Sequence, residues 1–164
     1  IRTKSANVKA LLACEPITNA VVAFSLTPDL ISKHVEHRVP QLAQRLQAMA
    51  QLQTAGWRIG LRFDPLIYDD NFERLYAELF EQVFSILSVD SIHSISTGLL
   101  RFPEKMFHKI HALYPEDVLL AHPLQAENKQ DSYTQSLEKH MLTWVHQQLL
   151  EYVPDTLLFK CSGD

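Results

Sequence analysis

The chain has 164 residues, of which 46% are hydrophobic and 21% charged, a balance that fits one ordinary folded domain and excludes wholesale disorder. Fifteen Lys and Arg stand against nineteen Asp and Glu, and a net charge of −4 gives no overall electrostatic reason to bind nucleic acid or a membrane surface, while leaving room for a local basic groove. Two cysteines, Cys14 and Cys161, are too few for a disulfide framework and are expected as buried or free thiols in a reducing, cytoplasmic compartment, with one bridge between them left open.

The first element is expected as a strand end over Arg2–Lys4, and a start at Ile1 directly on an extended segment is what a piece of a longer chain would show. A short helix over Asn7–Cys14 follows. Asn19–Ser25 is a short β-rich run between polar residues and predicts a buried strand. After Pro28 comes a short segment, Asp29–Val35. Pro40 is expected to open a long helix to Thr54, with Leu42, Leu46, Met49 and Leu52 as its apolar stripe and Gly56 as a left-handed cap. Trp57–Phe63 predicts the second long strand, stopped by Asp64-Pro65. Asn71 is a suitable N-cap for a helix over Phe72–Leu87.

Ser91–Thr97 alternates and predicts a third strand broken by Gly98, and Pro103 is expected to start a helix reaching Leu113. Val118–Ala121 is expected as a short extended piece and the polar stretch Pro123–Ser132 as a mobile loop. A helix over Tyr133–Tyr152 and a last strand over Thr156–Cys161 complete the chain. Strand–helix alternation of this kind implies an α/β fold, a parallel sheet with helical crossovers, in which ligands sit beyond the carboxyl ends of the strands. The stretches to inspect are then Lys4, Ser25, Arg62 to Pro65, Thr97 to Arg101, and Ser162.

Four glycines, at 56, 60, 98 and 163, form neither a dinucleotide fingerprint nor a Walker loop, and no nucleophile elbow is present. His34 and His37, like His108 and His111, are three apart and could share a helix face, but structural roles are the expectation and no metal site is assigned. His93 alternates within a strand, could point inward and is the histidine to consider for proton transfer. Arg62 and Asp64 share a strand face at its exit, either as a structural ion pair or as polar contacts to a ligand. Arg101, in a strand-to-helix loop, could hold a carboxylate or phosphate. Asp69-Asp70 is explained by helix-start electrostatics. Lys33, His34, His37, Arg38 and Arg45 make a modest basic cluster.

The runs T-K-S at Thr3–Ser5, F-S-L-T-P-D at Phe24–Asp29, K-H-V-E-H at Lys33–His37, R-L-Q-A at Arg45–Ala48, A-G-W at Ala55–Trp57, D-P-L-I-Y at Asp64–Tyr68 and G-L-L-R-F-P at Gly98–Pro103 resemble spore photoproduct lyase and the related DNA repair photolyase-like branch of radical S-adenosylmethionine (AdoMet) enzymes. The resemblance implies the C-terminal half of a partial (β/α) barrel, with a [4Fe–4S] cluster ligated by cysteines upstream of the matched segment and not by this chain. It implies lyase or DNA repair chemistry through a 5′-deoxyadenosyl radical in the intact protein, with damaged DNA as substrate. Lys4 and Ser25 fall on the positions that contact the amino-acid end of AdoMet, and the strand ending at Phe63 and Asp64 on one that borders the adenosyl group; Arg62, His93 and Arg101 are then candidate substrate contacts. Asp64 stands where the spore enzyme has a small apolar residue, and Ala126–Ser136 does not show that enzyme's aromatic and basic residues; the substrate is left open. Two other readings stand beside this one: a free-standing α/β interaction module without activity, and a metal-independent enzyme using Arg62, Asp64 and His93. An open sheet edge near Ile1 would favour the half-barrel, and a sheet covered on both faces the module.

Overall fold

The structure is a computed structural model that describes residues 1–113, 124–127 and 130–161. Five parallel strands form the main sheet in the order β1 (Arg2–Thr3), β2 (Val21–Ser25), β3 (Arg58–Leu66), β4 (Ile92–Leu99) and β8 (Leu158–Lys160). Between them run α1 (Lys9–Leu12), α2 (Asp29–Val35), α3 (Leu42–Thr54), α4 (Phe72–Ile86) and α6 (Gln135–Leu150). Neighbouring strands thus follow one another in the chain with helices between, as expected from the strand–helix alternation. Sequential order with the long helices on a common side is the arrangement of a (β/α) barrel wall, and β1 is one open edge of it.

The strands alternate sharply. Val22, Phe24, Ile59, Leu61, Phe63 and Ile95 point into the helical layer and meet Leu46, Met49, Leu52, Tyr76, Phe80, Met141 and Val145 in one core. Phe63 and Phe80 pack edge to face at 4.9 Å. The opposite face carries Ala23, Ser25, Gly60, Arg62, Asp64, Ser94, Ser96 and Gly98, small or polar residues with no helix over them among the described residues. Gly60 shows how tight this face is: a Cβ there would lie 3.1 Å from Ala23 Cβ and 3.3 Å from Val21 Cγ1.

Local signals account for most element ends. Helix α3 closes with the predicted glycine, Gly56 at φ +90°, and the Trp57 N–H donates back to Leu52 O at 2.9 Å while Gly56 N–H donates to Gln53 O at 2.9 Å. Its start differs from expectation: the helix begins at Leu42, not Pro40, with the Leu42 N–H donated to Asp29 Oδ1 at 3.2 Å. At α4 the side chain of Asn71 makes no cap; Asp69 supplies it, its Oδ1 accepting from the Asn71 N–H at 2.7 Å and its carbonyl from the Phe72 N–H at 2.8 Å.

Several boundaries were set by tertiary pairing. Strand β3 does not stop at Asp64-Pro65 but runs to Leu66, and β4 runs through Gly98 to Leu99, because Leu66 pairs with Leu99 after a register shift. The expected loop over 123–132 instead supplies β6 (Leu124–Glu127) and β7 (Gln130–Tyr133), an antiparallel pair that joins β5 (Phe102–Pro103) beside α5 (Glu104–Leu113). Tyr133 therefore belongs to a strand, and α6 begins at Gln135 behind the Thr134 cap. The last strand is shortened to Leu158–Lys160 by a helical turn over Asp155–Leu157. Val118–Ala121, Ser162 and the side chains of His108 and His111 lie outside the described residues. Both cysteines are free and exposed, so neither the bridge nor a buried thiol is present. Among the described residues no helix is long and apolar enough to cross a membrane.

Candidate functional site

The carboxyl ends of β1, β2 and β3 bring together the site. Arg2, on the same face as Ala23, reaches over β2: its Nε donates to Ser25 Oγ at 3.2 Å and its Nη2 to the Asp64 carbonyl at 3.0 Å and to Asp64 Oδ2 at 3.3 Å. Asp64 is thus paired with Arg2 and not with Arg62, contrary to the ion pair that the strand spacing offered. One residue past β1, Lys4 forms a salt bridge with Glu36.

Glu36 is the hub beneath these groups. Its Oε2 accepts from Ser32 Oγ at 2.7 Å and its Oε1 from Thr27 Oγ1 at 3.4 Å, and Arg45 Nη2 lies 3.6 Å from Oε2. Burial by itself would raise its pKa, but the hydrogen bonds from Lys4 and Ser32, with the charges of Lys4 and Arg45, outweigh that and hold the carboxyl below the ordinary carboxylate value. Arg45 is fully buried, so it is removed from the basic surface cluster in which the sequence suggested it; Lys33, His34, His37 and Arg38 stay exposed or at the rim. Its Nη1 donates to the Ser25 carbonyl at 2.8 Å. Burial lowers its pKa, opposed by the charges of Glu36 and Asp29. Ser25 is thus fixed from both sides, by Arg2 on its hydroxyl and Arg45 on its carbonyl.

The connection after β3 is pinned by two tyrosines. The Ile67 N–H donates to Tyr76 Oη and the Tyr68 N–H to Tyr133 Oη, each at 2.9 Å. Burial pushes the Tyr76 hydroxyl well above its ordinary value and that of Tyr133 up to about 12, each partly offset by the backbone N–H it accepts.

Lys4, Ser25 and Asp64 therefore converge at one end of the sheet, with Arg62 on the same face and Arg101 following β4 at the same end. Two predicted positions do not join them. Phe63 sits in the helical core, fully buried, and offers no side chain to a ligand. His93 is exposed at the start of β4, five residues before Gly98, or about 16 Å along the strand, so the inward proton-transfer role is not available to it. Sequence reasoning missed Arg2 and Glu36 and misplaced Arg45. For Arg45 a signal existed: it falls on the Leu42–Leu46–Met49–Leu52 stripe, the buried face of α3. For Arg2 there was none, because Asp64 lies 62 residues away in the chain; Glu36 stands four residues after Ser32, but its pairing with Lys4 spans 32 residues.

The fold and this end of the sheet define an α/β half-barrel wall with a charged rim. The family described as spore photoproduct lyase matches residues 1–156, and the chain belongs to that family. Among similar proteins are the spore photoproduct lyase of Bacillus subtilis, 28% identical over 119 residues, and that of Clostridium acetobutylicum, 25% identical over 117 residues; each alignment covers 71% of this chain and 35% and 34% of those proteins. The chain therefore spans about a third of the length of these relatives. Among solved structures, a spore photoproduct lyase mutant with bound AdoMet and dinucleoside spore photoproduct superposes with a TM-score of 0.80 at 19% identity, covering 99% of this chain and 50% of the other. A spore photoproduct lyase complexed with dinucleoside spore photoproduct gives 0.79 at 19% identity over 97% and 49%. At these identities the structural likeness speaks for the fold, a parallel sheet with helical crossovers.

Proposed function

We propose that this chain is the AdoMet-facing part of a spore photoproduct lyase-type DNA repair enzyme. The observation that carries the reading is the gathering of Arg2, Lys4, Ser25 and Asp64 at the carboxyl ends of adjacent parallel strands, with Arg2 linking Ser25 and Asp64 and Lys4 held by Glu36. The cation of Lys4 and the hydroxyl of Ser25 suit the carboxylate of an amino acid. The match of residues 1–156 to the family, and a neighbour of like fold that binds AdoMet, support the same reading.

The described residues do not fit an iron–sulfur cluster. The two cysteines are too few, and no group of three His, Cys, Asp or Glu could hold a metal ion among them. In this reading the cluster's ligands belong to the part of the relatives' length that this chain does not span. Bound AdoMet would supply the radical chemistry. The chain's own residues do the positioning: Lys4 and Ser25 hold the amino-acid end, Arg45 and Glu36 hold Ser25 and Lys4 in place, and the sheet face excludes water from below.

The test is equilibrium AdoMet binding by the full-length protein with Lys4→Ala and Ser25→Ala. Loss of one charge-assisted contact is expected to weaken binding by about tenfold or more. Unchanged affinity in both variants would overturn the assignment.

A further inference from the structure

Next to the AdoMet contacts the same sheet face carries a second polar group that those contacts do not use. The strand register places Ser25, Arg62, Ser96 and Phe159 side by side on β2, β3, β4 and β8. Paired residues in a parallel ladder point to the same face. Among the described residues no carboxylate pairs with Arg62, whose guanidinium reaches only the Leu61 carbonyl at 3.4 Å. Asp64, the acid two residues further along that face, is taken by Arg2. Ser96 is only 4% exposed, and its hydroxyl has no hydrogen-bond partner among the described residues. A buried hydroxyl left unsatisfied is costly and marks a place where a ligand atom can complete it. Phe159, 55% exposed, stands beside it as an uncovered aromatic side chain. The next row along the face is Ala23, Gly60 and Ser94, all small, so no bulky side chain from that row fills the space over Arg62.

A guanidinium with no acid partner among the described residues, an orphan hydroxyl donor and an exposed ring are three groups that recognise a nucleotide: two donors for phosphate oxygens and a face for a base. We propose that Arg62, Ser96 and Phe159 form a subsite for the phosphodiester and an adjoining base of the nucleic-acid substrate, an assignment that rests on the DNA repair reading above. Arg62 and Ser96 donate to the phosphate oxygens, and Phe159 stacks on the base.

The experiment compares binding of two ligands to the full-length protein with AdoMet present: spore photoproduct as the dinucleotide, with its phosphate, and as the dinucleoside, without it. Wild type is expected to prefer the phosphate-bearing form by about tenfold. Arg62→Met is expected to reduce that preference to below about twofold and to flatten its salt dependence. Ser96→Ala removes part of the preference without lowering thermal stability, since it deletes an unsatisfied hydroxyl. Phe159→Leu weakens both ligands by a similar factor. If wild type binds the two forms equally, or Arg62→Met keeps the preference, the subsite is wrong and the repair reading stands. If Arg62→Met weakens AdoMet instead, the guanidinium serves the cofactor carboxylate and the subsite is also wrong. If wild type binds neither form, both readings fall together.

Discussion

Replacing Arg45 with methionine removes a fully buried guanidinium while keeping the length of its stem. Two losses follow. The Ser25 carbonyl gives up its 2.8 Å bond from Nη1, and a buried acceptor left without its donor costs about 1–3 kcal/mol. Glu36 loses a cation 3.6 Å away, and breaking a buried pair on one side costs roughly 3–5 kcal/mol when nothing else compensates. Here Lys4, Ser32 and Thr27 still hold the carboxylate, which removes much of that second cost. The substitution also releases Nε and Nη2, both buried and without hydrogen-bond partners among the described residues. The expected net destabilisation is about 2–3 kcal/mol, or a drop of roughly 4–12 °C in Tm for a domain of this size. Urea denaturation of Arg45→Met, Glu36→Gln and the double variant measures it. The double variant should recover about 1 kcal/mol relative to additivity, because neither partner is then left alone. A loss under about 0.5 kcal/mol for Arg45→Met, or strict additivity, would refute the view that Arg45 and Glu36 act as a unit beneath Ser25 and Lys4.

Two further outcomes follow from the same geometry. The folded-state pKa of Glu36 is depressed, so its contribution to stability is present above its ordinary value of 4.5 and is lost as pH falls through the lower folded value; Tm should fall more steeply below pH 4.5 in wild type than in Glu36→Gln, and parallel curves would contradict this. Gly60→Val places side-chain atoms where a Cβ alone already meets Ala23 at 3.1 Å, so it should cost about 1–3 kcal/mol in chemical denaturation, and a neutral result would mean that β2 and β3 can part at that row.

Local chemistry made much of the fold legible. The strands at Val21–Ser25 and Arg58–Leu66 carry their apolar alternation on one side, helix α4 buries the Phe72, Leu75, Tyr76, Leu79, Phe80 and Val83 stripe, and Gly56 ends α3 as its φ requires. The ends that were misread share a cause. Asp64-Pro65 and Gly98 look like stops because each weakens a strand locally, yet pairing of Leu66 with Leu99 carries both strands past them. The strand pair at 124–127 and 130–133 looks like a polar loop because its partner, Phe102–Pro103, is distant in the chain and its two strands are only four residues each and mostly polar.

At the site the division is the same. Strand–helix alternation alone places Lys4, Ser25, Arg62, Asp64 and Arg101 in the C-terminal parts of the strands or just after them, because it fixes the order and direction of the strands. The pairing among them follows from the folded chain. Arg2 takes Asp64, Glu36 gathers Lys4 and Arg45, and among the described residues Arg62 is left without an acid and Ser96 unsatisfied beside Phe159. Charge pairing depends on distance through space and on exclusion of water, and neither is written in the spacing along the chain.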